Sequence, residues 1–229
     1  MNARLVIRDC CYGLVVIMAA AVAAPVVPPA ATEDSVFAHA ASMTALADLT
    51  RPTARALETA KVVRGRFVQR RHLAGLAQPL ESSGTFLFAR SAGIEWHTEQ
   101  PFDSQFLLAE SRITQRDEGG VTLSLDAAEQ PALAVVSRVF FALFALDLEK
   151  LSQDFELFGE RRGAGWVLGL KPRAPALGRV FRRAIVTGGT SVERVVLEDG
   201  NGDRSEIELR EVGYGRALTA EESSRFQNP

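Results

Sequence analysis

The chain has 229 residues, with 26 Lys and Arg against 28 Asp and Glu and a formal net charge of -2 at pH 7. That balance excludes a nucleic-acid protein held by a basic stripe. Its two cysteines, Cys10 and Cys11, both stand in the first dozen residues, so a chain processed beyond them has no disulfide, thiolate zinc site or cysteine nucleophile.

Arg4 and Arg8 precede an uncharged apolar run from Tyr12 to Ala24, the pattern of a secretory signal and hence of an exported protein. The run is shorter than the roughly 20 residues of a membrane-spanning helix, and small residues at Ala21 and Ala23 or at Pro29-Ala30-Ala31 offer cleavage sites. Cys10 and Cys11 follow Arg8-Asp9 rather than the end of the apolar run, which argues against a lipid anchor at either. Residues 1–31 therefore read as signal peptide and linker, and 32–229 as a single domain large enough to bury a core.

Val36, Ala40, Met43, Leu46 and Ala47 recur at helical spacing, predicting a helix over Ser35 to Leu49. Pro52, with Thr50 as cap, predicts the start of a second helix. Strand patterns follow at Val62 to His72, Gly84 to Ala89, Ile94 to Glu99, Phe106 to Ala109, Arg112 to Arg116 and Val121 to Leu125. The basic clusters at Arg64 to Arg71 and Arg179 to Arg183 alternate with apolar residues and read as solvated strand faces. The most apolar segment, Pro131 to Leu146, predicts a helix with a wide greasy face at Leu133, Val136, Phe140, Phe141 and Phe144. A short helix at Asp147 to Gln153 precedes strands at Asp154 to Gly159, Gly165 to Leu170, Val180 to Thr187, Glu193 to Leu197 and Arg204 to Val212. Asp199 to Asp203 reads as a hairpin turn. It lacks a calcium loop's glycine after Asp203 and its final acid, those positions being Arg204 and Arg210.

One long antiparallel sheet with helices before it and midway along it buries its apolar faces best as an α+β antiparallel half-barrel, an open β-barrel whose helical lid covers an apolar cavity. Phe67, Phe86, Phe88, Ile94, Trp96, Leu107, Phe140, Phe141 and Phe144 are candidate lining residues, each of which also reads as plain core. Catalysis is not expected. His39, His72 and His97 are scattered, no zinc-type spacing occurs, and no nucleophile elbow, phosphate loop or dinucleotide glycine pattern is present. Neither metal nor cofactor is expected.

Phe67-x-Gln69, the strand from Gly84 to Ala89-Arg90, the turn Ser91-Ala92-Gly93 and the strand Ile94-Glu95-Trp96-His97-Thr98 leading to Gln100-Pro101-Phe102 resemble, in order and spacing, the periplasmic outer-membrane lipoprotein carrier (LolA) family. Gly165 to Pro172 resembles the family's strand ending in a Pro-flanked turn, and the resemblance extends over roughly Leu57 to Phe226. It implies a monomeric carrier. Such a carrier shields the acyl chains of a lipoprotein or other lipid, taking them from an inner-membrane export complex to an outer-membrane acceptor. It also implies that Arg90 stands where the family's arginine hydrogen-bonds the lid and couples closure to release. Arg112-Ile113-Thr114-Gln115-Arg116 departs from the family's aromatic-rich strand, leaving open a lipoprotein, a glycolipid or a polyene pigment ester as cargo. The alternative is a periplasmic sensor or interaction protein of related fold that binds lipid or peptide and regulates a membrane partner. Such sensors generally carry a further domain, and a short polar tail from Ala217 to Pro229 favours the carrier.

Overall fold

The computed structural model describes residues 34–38, 40–109, 112–126, 131–178 and 181–227. The expected leader and linker lie outside the described residues, as do His39 and the expected strand start at Val180. So do the side chains of 131–137, Leu133 and Val136 among them. Among the described residues eleven strands form one sheet. The first six are β1 (Val62–His72), β2 (Leu80–Ala89), β3 (Gly93–Gln100), β4 (Ser104–Ala109), β5 (Arg112–Asp117) and β6 (Gly120–Asp126). The remaining five are β7 (Phe155–Arg162), β8 (Gly165–Pro172), β9 (Arg183–Gly188), β10 (Val192–Glu198) and β11 (Arg204–Gly215).

Their order, β6-β5-β4-β3-β2-β1-β11-β10-β9-β8-β7, describes two meanders joined by antiparallel pairing of β1 with β11. This is the expected open antiparallel barrel, with β6 and β7 as its edges. Between those edge strands the chain forms α2 (Pro131–Ala145) and α3 (Leu148–Asp154). The helical layer thus follows from connectivity: a chain leaving one edge and re-entering at the other is taken across the concave side, where the greasy face of α2 finds cover.

A single helix, α1 (Met43–Thr59), replaces the two expected around Pro52. Ser42 caps it, its hydroxyl accepting from the Ala45 amide at 3.2 Å. Thr50 is no cap; its hydroxyl donates to the Leu46 carbonyl at 2.9 Å. Proline inside a helix removes one hydrogen bond and costs about 3 kcal/mol, but Leu46, Thr50, Thr53 and Leu57 form one buried face across it, and that packing keeps the helix continuous. At Gly159 on β7 a Cβ would come within 2.5 Å of Leu46 Cδ2, so the missing side chain sets how closely α1 approaches.

Residues 34–38 form a 3-10 turn rather than part of that helix. Val36 packs there on Phe158, Val167, Ile185 and Val196, the outer face of the sheet. Ala40 then bridges to Phe158, and α1 joins the inner core. The chain therefore wraps around the β7 edge and protects it. Val36 and Leu46 share a helical period in sequence but lie on opposite faces of the sheet.

The polar tail holds an unexpected helix, α5 (Ala220–Gln227), which follows the single turn α4 (Pro175–Gly178) in the chain. Leu218 and Phe226 cover Val62, Leu87 and Ala89 on the outer face. Thr219 and Glu222 form a reciprocal capping box, Thr219 N–H donating to Glu222 Oε2 at 2.7 Å and Glu222 N–H to Thr219 Oγ1 at 3.1 Å. Around it the outer face is a lattice of ion pairs, including Arg66 with Glu99, Arg70 with Glu81 and Glu208, and Arg194 with Glu206. In the Asp199 hairpin the carboxylate accepts from the amides of Asn201 and Asp203 at 2.8 and 2.9 Å, a local turn device. Among the described residues no cluster is suited to a metal ion and no helix is long and apolar enough to cross a membrane.

Candidate functional site: an apolar cavity under a helical lid

Period-two alternation sends Phe86 of β2, Ile94 and Trp96 of β3, and Phe106 and Leu108 of β4 to the concave side, where they line a cavity. The second meander completes the wall with Leu170, Val186, Val195, Leu197, Ile207 and Leu209. The roof is α2, through Val139, Phe140, Leu143 and Phe144. Phe144 stands between two β2 rings, 6.0 Å from Phe86 and 5.6 Å from Phe88 by centroid, so the lid is seated by aromatic contacts.

The cavity measures about 170 Å³. A cavity of about 150 Å³ accepts a molecule the size of benzene, so a long acyl chain needs more room than this arrangement of lid and sheet leaves. Arg138 of α2 holds Asp154 at the end of α3 by two guanidinium nitrogens, Nη2 at 2.9 Å and Nε at 3.1 Å, making the two helices one unit. At their corner Leu146 adopts φ 50°, a left-handed conformation costing a branched residue about 1–2 kcal/mol. Asp147 follows, its side chain accepting from the Lys150 amide at 3.1 Å. Burial pushes the Asp147 carboxyl upward, but hydrogen bonds from the Lys150 backbone and side chain and the nearby Lys150 and Arg90 charges prevail and hold it below its ordinary value.

Of the residues expected from sequence, Phe86, Ile94, Trp96, Phe140 and Phe144 lie in the lining, and Phe67, Phe88, Phe141 and Leu107 do not. Phe67 is buried beneath Trp96, their rings stacked at 3.9 Å. Phe88 and Phe141 pack against each other edge to face at 5.9 Å. Leu107 is a phase correction. It stands opposite Glu95 in the β3–β4 register and lies, buried, on the outer face, while Phe106 and Leu108 point inward. Arg90 is exposed; its Nη2 donates to the Leu57 carbonyl in the last turn of α1 at 3.2 Å. It lies outside the lining, bonded to the helical layer, with its charge felt at Asp147. The strands of the second meander were missed as wall, although the same alternation there carried the signal.

Two lining residues are polar and unsatisfied. Gln69 and Trp96 are 6% and 9% exposed, and neither Gln69 Oε1 nor Trp96 Nε1 has a hydrogen-bond partner. Of the other polar lining residues, Thr53, Ser205 and Tyr214, Thr53 donates to the Gly189 carbonyl at 2.7 Å and Tyr214 to the Thr190 carbonyl at 3.3 Å.

The family model for the outer membrane lipoprotein carrier protein LolA matches residues 58–224. Among solved structures, the chain is similar to a LolA superfamily protein from Nitrosomonas europaea at 10% identity, covering 76% of this chain and 96% of that one with a TM-score of 0.40. It is similar to an outer membrane lipoprotein-sorting protein domain from Vibrio parahaemolyticus at 8% identity, 79% and 97% coverage and a TM-score of 0.40. A chain of the Pseudomonas aeruginosa MucA/MucB complex matches at 15% identity, 80% and 60% coverage and a TM-score of 0.33. A search of curated proteins finds no match. The family match spans both meanders and the lid between them, and the chain belongs to the LolA family of outer membrane lipoprotein carrier proteins.

Proposed function

We propose that the protein is a periplasmic carrier. Exported by a leader within residues 1–31, its domain shields the acyl chains of a lipoprotein or other lipid and shuttles them from an inner-membrane export complex toward an outer-membrane acceptor, without catalysis and as a monomer. The observation that carries this reading is the apolar cavity between α2 and the concave sheet. Each methylene removed from water contributes about 0.8 kcal/mol, so an acyl chain exposed in the aqueous periplasm costs on the order of 10 kcal/mol. Van der Waals contact in an apolar cavity supplies that shielding without directional bonds.

Release follows from the lid. Phe144 occupies apolar surface between Phe86 and Phe88 that a ligand chain would also cover, so closure competes with cargo and lowers net affinity. In this reading Arg90 couples lid position to release, which its bond to the Leu57 carbonyl of α1 and its charge at Asp147 support.

Native mass spectrometry of the protein purified from a periplasm, followed by extraction of the bound molecule, tests this function. A stoichiometric lipid or acylated protein is the expected result. An apo mass that persists after incubation with membranes and candidate lipids overturns it in favour of a sensor that binds peptide.

A further inference from the structure

The concave wall is covered unevenly. On the first meander the lining residues Phe86, Ile94, Trp96 and Leu108 are buried, and α2 sets its Phe141 and Phe144 rings against Phe86 and Phe88 there. On β10 and β11 the lining is as apolar, yet Val192, Val195, Leu197, Ile207, Leu209 and Val212 are only half-buried.

The backbone parts along the same strip. The β10–β11 ladder ends with Arg194 opposite Glu208, while β11 continues to Gly215 against β1. In that continuation Arg64 pairs with Gly213 but Arg66 with Arg210, so Glu211 and Val212 together stand opposite Gly65. This is a β-bulge, with Glu211 in the left-handed region at φ 53°. The extra residue shifts the alternation by one. Ile207 and Leu209 line the cavity before the bulge and Val212 and Tyr214 after it, while Glu211 is exposed. At Gly65 a Cβ would come within 2.9 Å of the Arg210 carbonyl oxygen and 2.5 Å of Phe86 Cε1, so the facing strand makes room by having no side chain there. Bulges re-aim side chains and end pairing beside functional sites.

Tyr214 bridges the gap that results. Its hydroxyl donates at 3.3 Å to the Thr190 carbonyl, in the turn between β9 and β10. The residue lines the cavity and is 39% exposed, so one side chain spans the wall from cavity to solvent. Moving it breaks a single neutral hydrogen bond, whereas moving α2 breaks the aromatic contacts that seat the helix.

We propose that the acyl ligand enters and leaves through the seam between the end of β11 and the β9–β10 turn, with Tyr214 as a gate latched by its bond to the Thr190 carbonyl. The half-buried strip along β10 and β11 is then the track on which the alkyl chain slides. The proposal rests on the carrier reading and adds the route of its cargo.

The test follows a fluorescent fatty acid by stopped flow as it enters the full chain and as excess unlabelled fatty acid chases it out. Tyr214→Phe, which keeps the ring and loses the latch, should speed entry and exit alike by about fivefold, the rate factor of one neutral hydrogen bond. Tyr214→Ala should speed both further. A gate changes the barrier seen from either side, so Tyr214→Phe should leave equilibrium affinity, the ratio of the two rates, unchanged. Unchanged rates in Tyr214→Phe would overturn the proposal and leave the carrier reading intact. Faster exit with unchanged entry would do the same, since that is how a wall contact behaves. Failure of the wild type to bind the fatty acid at all would sink both.

Discussion

Arg90 Nη2 donates to the Leu57 main-chain carbonyl at 3.2 Å, tying the turn after β2 to the last turn of α1. Terminal helix carbonyls lack intrahelical partners and attract cations. Arg90 is exposed, so Arg90→Leu should cost no more than about 1 kcal/mol of stability. Its expected effect is functional: cargo loads normally and transfers to an acceptor several-fold more slowly. A transfer assay with loaded protein checks this, and an unchanged rate removes Arg90 from the release mechanism.

Phe141 and Phe144 are neighbouring aromatic positions on α2 with different surroundings, and the difference separates cavity from core. Phe144 lines the cavity, whereas Phe141 packs edge to face on Phe88 outside it. Phe144→Asp should abolish lipid binding with a modest loss of melting temperature, since its carboxylate can hydrate in the opening cavity. Phe141→Asp should instead lower stability by about 3 kcal/mol or more, as a charge placed in packed surroundings does. Parallel melts and lipid titrations distinguish them; identical profiles would refute the assignment.

The C-terminal helix should undock in acid. Glu222 accepts from Arg64 Nε and Nη2, each at 2.6 Å. That bidentate bond, aided by the Thr219 amide, outweighs desolvation and lowers its pKa from 4.5 to about 2. A folded-state pKa below the unfolded value means that the contribution is complete above about pH 4.5 and is lost as pH falls toward 2. The melting-temperature gap between wild type and Glu222→Gln should therefore be constant near neutrality and close between pH 4.5 and 2. A gap independent of pH would count against the ion pair.

On the same face the Glu95 side chain is only 6% exposed and meets Arg225 Nε at 2.9 Å, while Gln105 Nε2 donates to its other oxygen at 2.6 Å. Arg225→Ala leaves that carboxylate without its cation and should cost about 2 kcal/mol. Adding Glu95→Gln should recover at least half of the loss. Denaturant melts of the two single variants and the double variant measure the coupling, and strict additivity would show that the pair contributes nothing.

Much of the architecture was legible because periodicity reports which residues share a face. The β2–β3 hairpin, with Phe86 opposite Trp96, and the greasy face of α2 both follow from it. What periodicity does not report is which face is inward when both are apolar. Phe106-Leu107-Leu108 is such a stretch: all three are apolar, both leucines are buried, and Leu107 was assigned to the wrong side. The capping box at Thr219 and Glu222 was a local signal for α5, but it stands in a polar segment whose few apolar residues gain meaning only against Val62 and Leu87.

The amino-acid order by itself determined the run of strands, the lid helix and the family resemblance, since these depend on local alternation and on motif spacing within tens of residues. Tertiary structure alone decided that α1 runs unbroken through Pro52, that the chain wraps the β7 edge, and that the Trp96 ring stacks on Phe67 from two strands away. Each depends on atoms brought together from distant strands, where packing outweighs local preference and where a polar group's satisfaction is set by neighbours that the sequence does not place beside it.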